Sequence, residues 1–121
     1  MTKHDIVKQI FQAMNSRDFG LLDPFMEDDV VFEFPGVDPA KGKKKVLLLM
    51  NVILRKYSEL AFDLKDILVD KEKAIAVWTN HGISKAGKPY SNSGITLVEF
   101  RENKIVFLSD YFKDTSFTNP K

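Results

Sequence analysis

The sequence predicts an α+β fold in which N-terminal helices and one long helix lie against a curved antiparallel sheet. Three observations carry this reading. Apolar residues recur at helical spacing in the first half, stretches rich in strand-forming residues fill the second half, and the breaks between those stretches are hairpin-sized. Helices first and a meander afterwards leave the long helix lying across one face of the sheet.

The elements follow in order. Thr2 with Asp5 three residues on has the spacing of a helix N-cap, and Ile6, Val7, Ile10, Phe11 and Met14 continue at helical period, so a first helix runs to about Ser16. Leu21, Leu22, Phe25 and Met26 surround Pro24, which tolerates only a short helical piece or turn, packed back on that helix. Residues 30–34, Val-Val-Phe-Glu-Phe, make a short strand stopped by Pro35 and Gly36. After a polar loop, residues 43–57 carry Val46, Leu47, Met50, Ile53, Leu54 and Tyr57 on a long helix, widened by Leu48, Leu49 and Val52 until it needs cover on more than one side. Strands are expected at 60–69, 74–83, 90–100 and 105–112, joined by hairpins at Asp70-Lys71-Glu72, Ala86-Gly87 and Glu102-Asn103.

The bulk properties exclude several function classes. The 121 residues, 44% hydrophobic and 12% aromatic, suit one domain over 1–121 with a core of its own. A formal net charge of +1 gives no field to draw in nucleic acid or an acidic membrane. The absence of cysteine removes disulfides, thiol nucleophiles and thiolate metal sites. Lys8, Gln9 and Gln12 interrupt the N-terminal segment, which has neither the apolar run of a signal peptide nor that of a membrane span; a cytoplasmic protein is expected. Asp28, Asp29 and Glu33 read as surface charge at a strand start, so no metal site is expected. The basic run at 41–45 lacks the flanking glycines of a phosphate loop, and no serine sits in a nucleophile elbow.

Asp110 is the first candidate for chemistry. Its strand reads Ile-Val-Phe-Leu-Ser before it and Tyr-Phe after it, and a carboxyl facing the core among such neighbours acquires the raised pKa that a general base for carbon acids requires. His81 is the second, a residue able to shuttle a proton near neutral pH. Alternation puts Ile75, Val77, Thr79, His81 and Ile83 on one face and Ala76, Trp78, Asn80 and Gly82 on the other; both faces carry apolar residues, so period alone does not choose between them. Trp78 and Tyr111 are expected on the outer face of the sheet with Ile105 and Phe107. That face is too apolar for a monomer and suggests a homodimer interface.

Two stretches carry a resemblance. Residues 26–36, Met-Glu-Asp-Asp-Val-Val-Phe-Glu-Phe-Pro-Gly, and residues 99–105, Glu-Phe-Arg-Glu-Asn-Lys-Ile, leading to Asp110-Tyr111-Phe112, resemble the opening strand and closing hairpin of a SnoaL-like protein of the nuclear transport factor two and ketosteroid isomerase superfamily. The order and length of the elements match over essentially the whole chain. The resemblance implies a cone-shaped α+β barrel around a deep pocket. It also implies a range of roles, since the superfamily includes isomerases, cyclases, epoxide hydrolases, dehydratases and pure binding modules. Asp110 matches a catalytic acid or base that some members carry just before a Tyr-Phe pair. The resemblance also turns Thr79 and His81 toward the pocket, with His81 about 12 Å from Asp110 between α-carbons, a separation suited to gripping opposite ends of a small ligand.

Departures narrow the chemistry. Phe32 and Phe34 stand where epoxide hydrolases carry a water-positioning Tyr and Asn; Phe34 also replaces the ketosteroid isomerase base, and Ile10 and Thr96 replace its oxyanion donors. The implied pocket is aromatic, lined by Phe32, Phe34, Thr79, Thr96, Leu108 and Phe112 with Ile10 and Met14 from the first helix. The expectation is a cofactor-free isomerase, cyclase or hydrolase acting on a small apolar molecule through Asp110 and His81. The alternatives are a noncatalytic ligand-binding or dimerisation module and a protein-interaction domain, for which the chain lacks a peptide-docking signature.

Overall fold

A computed structural model describes residues 1–118. Helix α1 spans Lys3–Ser16. Its start is closed reciprocally: the Asp5 amide donates to Thr2 Oγ1 at 3.1 Å and the Thr2 amide donates to Asp5 Oδ2 at 3.0 Å. At its end Arg17 takes a left-handed conformation (φ 57°). A 3₁₀ turn over Phe19–Phe25, the only kind of helical piece Pro24 permits here, folds Leu22 under α1.

Strand β1 (Met26–Glu33) begins four residues before the predicted start, and a two-residue β2 (Ala40–Lys41) that the sequence did not announce pairs with it. Helix α2 (Lys43–Leu54) stops three residues short of Tyr57, which instead opens β3 (Tyr57–Asp70). Strands β4 (Lys73–Ser84), β5 (Pro89–Arg101) and β6 (Lys104–Phe112) complete the meander. The two-residue turn Glu102-Asn103 holds both residues left-handed (φ 51° and 62°), the primed geometry that suits the twist of a hairpin.

The sheet runs β2-β1-β6-β5-β4-β3, curved and unclosed; β1 lies parallel to β6 and the other neighbours are antiparallel. Register breaks in β3 (at 57/59 and 64/66) and between β5 and β6 (at 99/100) are bulges, which bend and coil a sheet. The concave face receives α1 through Ile6, Val7, Ile10, Phe11 and Ala13, and α2 through Val46, Met50 and Leu54 at i, i+4, i+8. Opposite that stripe Leu48 and Val52 stand 61% and 42% exposed, so the cover expected on more sides of α2 is not supplied by the described residues.

Two expectations about facing are corrected. Trp78 is buried on the concave side, not the outer one. Ile105 is buried in the core as well, because the β5–β6 bulge leaves Val106 without a partner and so puts Ile105 out of phase with Phe107. Phe107 is half-buried and Tyr111 is 54% exposed.

Candidate active site

Helices α1 and α2 do not press flat on the sheet, and a narrow cavity remains between them and the concave face. The space open to the centres of water-sized molecules is about 50 Å³, where one water needs about 10–15 Å³ by that measure. Ile10 and Met14 of α1, Phe32 of β1 and Phe34 just beyond it, Thr96 of β5, and Leu108, Asp110 and Phe112 of β6 all line it. Phe34, Phe112 and Phe117 pack edge to face in a cluster with centroids 4.8–5.8 Å apart.

Asp110 sits opposite Thr96 in the β5–β6 register, and the Thr96 hydroxyl donates to Asp110 Oδ1 at 2.7 Å. The indole N–H of Trp78 donates in turn to Thr96 Oγ1 at 3.0 Å. An indole nitrogen can only donate, so the hydroxyl must accept from Trp78 and spend its single proton on the carboxyl. The rotor is thereby fixed and Oδ1 occupied, which leaves Oδ2 for the cavity. Gly94 permits the arrangement: a Cβ there would lie 2.9 Å from the Trp78 ring and overlap the Tyr111 carbonyl oxygen. Asp110 is half-buried, with its carboxyl at the cavity wall. This burial pushes its pKa up to about 7, the Thr96 bond opposing the rise.

Thr79 and His81 are not in the cavity. Strand β4 buries Ala74, Ala76, Trp78 and Asn80, and turns Thr79 and His81 to the convex side. The His81 side chain is 66% exposed, with Nε2 4.0 Å from Asp63 Oδ2. The physical reason is space. A concave face under a helix takes alanines beside one large aromatic laid across a glycine, here Trp78 opposite Gly94, while the β-branched residues go to the open face.

Three polar residues that the sequence reading did not assign to the site take those places: Asn80, Tyr57 and Tyr90. The two tyrosine rings pack tilted at 44° with centroids 4.8 Å apart, and burial, then Tyr90, holds the Tyr57 phenol well above its ordinary pKa, so it stays protonated. Asn92, the cross-strand partner of Asn80, is committed elsewhere, donating to Tyr90 Oη at 3.1 Å and to the Asp114 carbonyl at 2.8 Å. The hairpin that the sequence places at Ala86-Gly87 is closed by the Ser84 amide on the Lys88 carbonyl around three residues, which sets Trp78 against Gly94 and Asn80 against Asn92; a two-residue turn would have put both one residue out of register.

The comparisons with known proteins agree with this architecture. Residues 7–108 match the family model described as a SnoaL-like domain, so the chain belongs to the SnoaL-like domain family. Among solved structures it is similar to an NTF2-like protein of unknown function from Burkholderia pseudomallei, at 16% identity and a TM-score of 0.87 over 97% of this chain and 95% of the other. A putative SnoaL-like polyketide cyclase from Jannaschia superposes with a TM-score of 0.85 at 10% identity, over 98% and 93% of the two chains. A protein of unknown function with a cystatin-like fold from Xanthomonas campestris gives 0.83 at 19% identity, over 96% and 94%. At these identities the likeness is one of fold. No curated protein matches the sequence.

Proposed function

We propose that this chain is a small-molecule pocket protein in which Asp110 transfers a proton to or from a small, largely apolar substrate, without a cofactor, in an isomerase-, cyclase- or hydrolase-like reaction. The observation that carries the reading is the Trp78–Thr96–Asp110 chain of hydrogen bonds, which fixes one carboxyl oxygen and leaves the other on an apolar cavity. A carboxyl titrating at about 7 is present in both forms near neutral pH and serves as base or acid. In the base direction Oδ2 accepts a proton from a C–H beside a carbonyl; the pair of that bond forms a carbon–carbon double bond, and the π pair of the carbonyl moves onto its oxygen.

The test is deuterium exchange into 1,3-dicarbonyl compounds and β,γ-unsaturated ketones, followed by NMR for the protein and for Asp110→Asn. Exchange or isomerisation by the protein that disappears in the variant is the expected result. Equal rates in the two remove Asp110 from the chemistry. The second reading, a noncatalytic binding module, is favoured by the position of His81: with it on the convex face, Asp110 is the one carboxylate or imidazole lining the cavity among the described residues. The proposal includes a cytoplasmic homodimer joined through the convex face of the sheet, where Ile75, Val77, Ile95, Leu97 and Phe107 stand half-buried without a helix over them.

A further inference from the structure

The Asn80 side chain has no evident structural purpose. The residue is 4% exposed and lines the cavity, yet its Oδ1 is buried and finds no hydrogen-bond partner among the described residues. Leaving such a group unmet costs about 1–3 kcal/mol, whereas an apolar side chain of the same shape costs nothing of the kind. Its neighbours do not answer it: across one strand is Phe62, and across the other is Asn92, whose amide is spent on Tyr90 and Asp114. A buried polar group kept unpaired at a cavity wall calls for a partner inside the cavity, a water or the polar group of a ligand that displaces it.

Position says which kind. Asn80 stands opposite Asn92 on β5, and Asp110 stands opposite Thr96 four residues further along the same strand, so the two lie two strands apart near opposite ends of the cavity. Strand spacing and rise put their α-carbons roughly 16 Å apart. The rest of the wall is apolar: Phe112 lies between their levels in the register, Phe62 faces Asn80 from β3, and Leu108 with Phe32 beside it lies beyond Asp110. No Lys, Arg or His is among the lining residues, so nothing compensates an anionic group there, and the phenols of Tyr57 and Tyr90 add neutral polarity at the Asn80 end.

We infer that the cavity takes an uncharged, elongated molecule with polar groups at both ends: a carbonyl or hydroxyl at Asp110 and Thr96, an apolar body along the phenylalanines, and a hydroxyl at the Asn80 carboxamide beside Tyr57 and Tyr90. A hydroxyl both donates and accepts, and so meets the carboxamide whichever of its ends turns inward. The inference rests on the reading of the cavity as a small-molecule site and names the substrate class of that site; it assigns Asn80 a binding role, separate from proton transfer.

Three probes of one skeleton test it: 3-phenylpropan-1-ol, propylbenzene and 3-phenylpropanoate, titrated by NMR into the protein and Asn80→Leu at about pH 8, where the Asp110 carboxyl is ionised. In the protein the alcohol moves the Asn80 side-chain amide resonances and binds more tightly than the carboxylate. In Asn80→Leu the ratio of alcohol to hydrocarbon affinity falls about tenfold, since the hydroxyl has lost its partner. The same variant melts higher than the protein when both are ligand-free. These readouts are of binding and not of turnover, so a failure of the proton-transfer reading leaves this result standing, and the reverse. The inference is overturned by a ratio unchanged in Asn80→Leu, by carboxylate binding as tight as that of the alcohol, or by no probe binding the protein at millimolar concentration. It is overturned too if Asn80→Leu melts lower or fails to fold, which would make the carboxamide structural.

Discussion

At the scale of single residues, Asp110 sets the electrostatics. Its folded pKa of about 7 lies above the ordinary 3.8, so the fold binds a proton that the unfolded chain has released. Its stabilising contribution is therefore full below 3.8, declines as pH rises, and is gone above about 7. The decline totals about 2–4 kcal/mol. Asp110→Asn keeps the Thr96 bond, because the amide oxygen accepts it equally well. Denaturant unfolding across pH is expected to show the slope in the protein and not in the variant, with the variant equal or more stable at neutral pH; parallel profiles refute the burial. Thr96→Val removes the bond that holds the pKa down and strands the Trp78 N–H. It should move the titration above 7 and cost about 1–3 kcal/mol, while Thr96→Ser restores both; a titration left in place after Thr96→Val means the bond does not reach the carboxyl. Asp110 was legible in the sequence because a lone carboxylate in an apolar strand announces itself. Its partner was not, since the Thr96–Asp110 pairing depends on register across a hairpin.

At the scale of elements, the predicted order of helices and strands matches the structure, and the differences lie in facing and length. Strand β4 is the instructive case. Alternation divided it correctly into two sets, but both sets held apolar residues, and which one faces inward is fixed by partners on β5 and by the helix above, not by period. That is why Asn80 was passed over and His81 and Thr79 were placed in the cavity. Helix α2 ended early for a related reason: Tyr57 fits the helical stripe but packs against the Tyr90 ring from β3. The close approach at Gly94 leads to a prediction at this scale. Gly94→Ala places a methyl against the Trp78 ring and the Tyr111 carbonyl, so β5 and β6 must part or the indole must swing off Thr96. A loss of about 2–4 kcal/mol is expected, with a shifted Trp78 fluorescence maximum. A variant as stable as the protein with unchanged fluorescence disproves the contact.

At the scale of the whole molecule, the proposed homodimer puts association on the convex face. Light scattering at micromolar concentration is expected to give twice the chain mass, and Phe107→Glu to halve it, because the carboxylate would be buried in an apolar contact. A Phe107→Glu protein that stays dimeric places the interface elsewhere, and a monomeric parent protein removes it altogether. The sequence suggested this face from Phe107 and Tyr111, although two of its proposed members, Ile105 and Trp78, turned inward. The parallel pairing of β1 with β6 bears on how the chain reaches this form. Phe32 aligns with Leu108, so a strand made early can dock only on the strand made last, and the two-stranded piece β1–β2 joins the meander through β6 alone. Closing so long a loop before its contacts repay the entropy slows folding. During synthesis the edge of β1 that pairs with β6 must therefore wait, uncovered, until residues 104–112 emerge, and a chain halted before β6 would be a substrate for chaperones and proteases, not a smaller working protein.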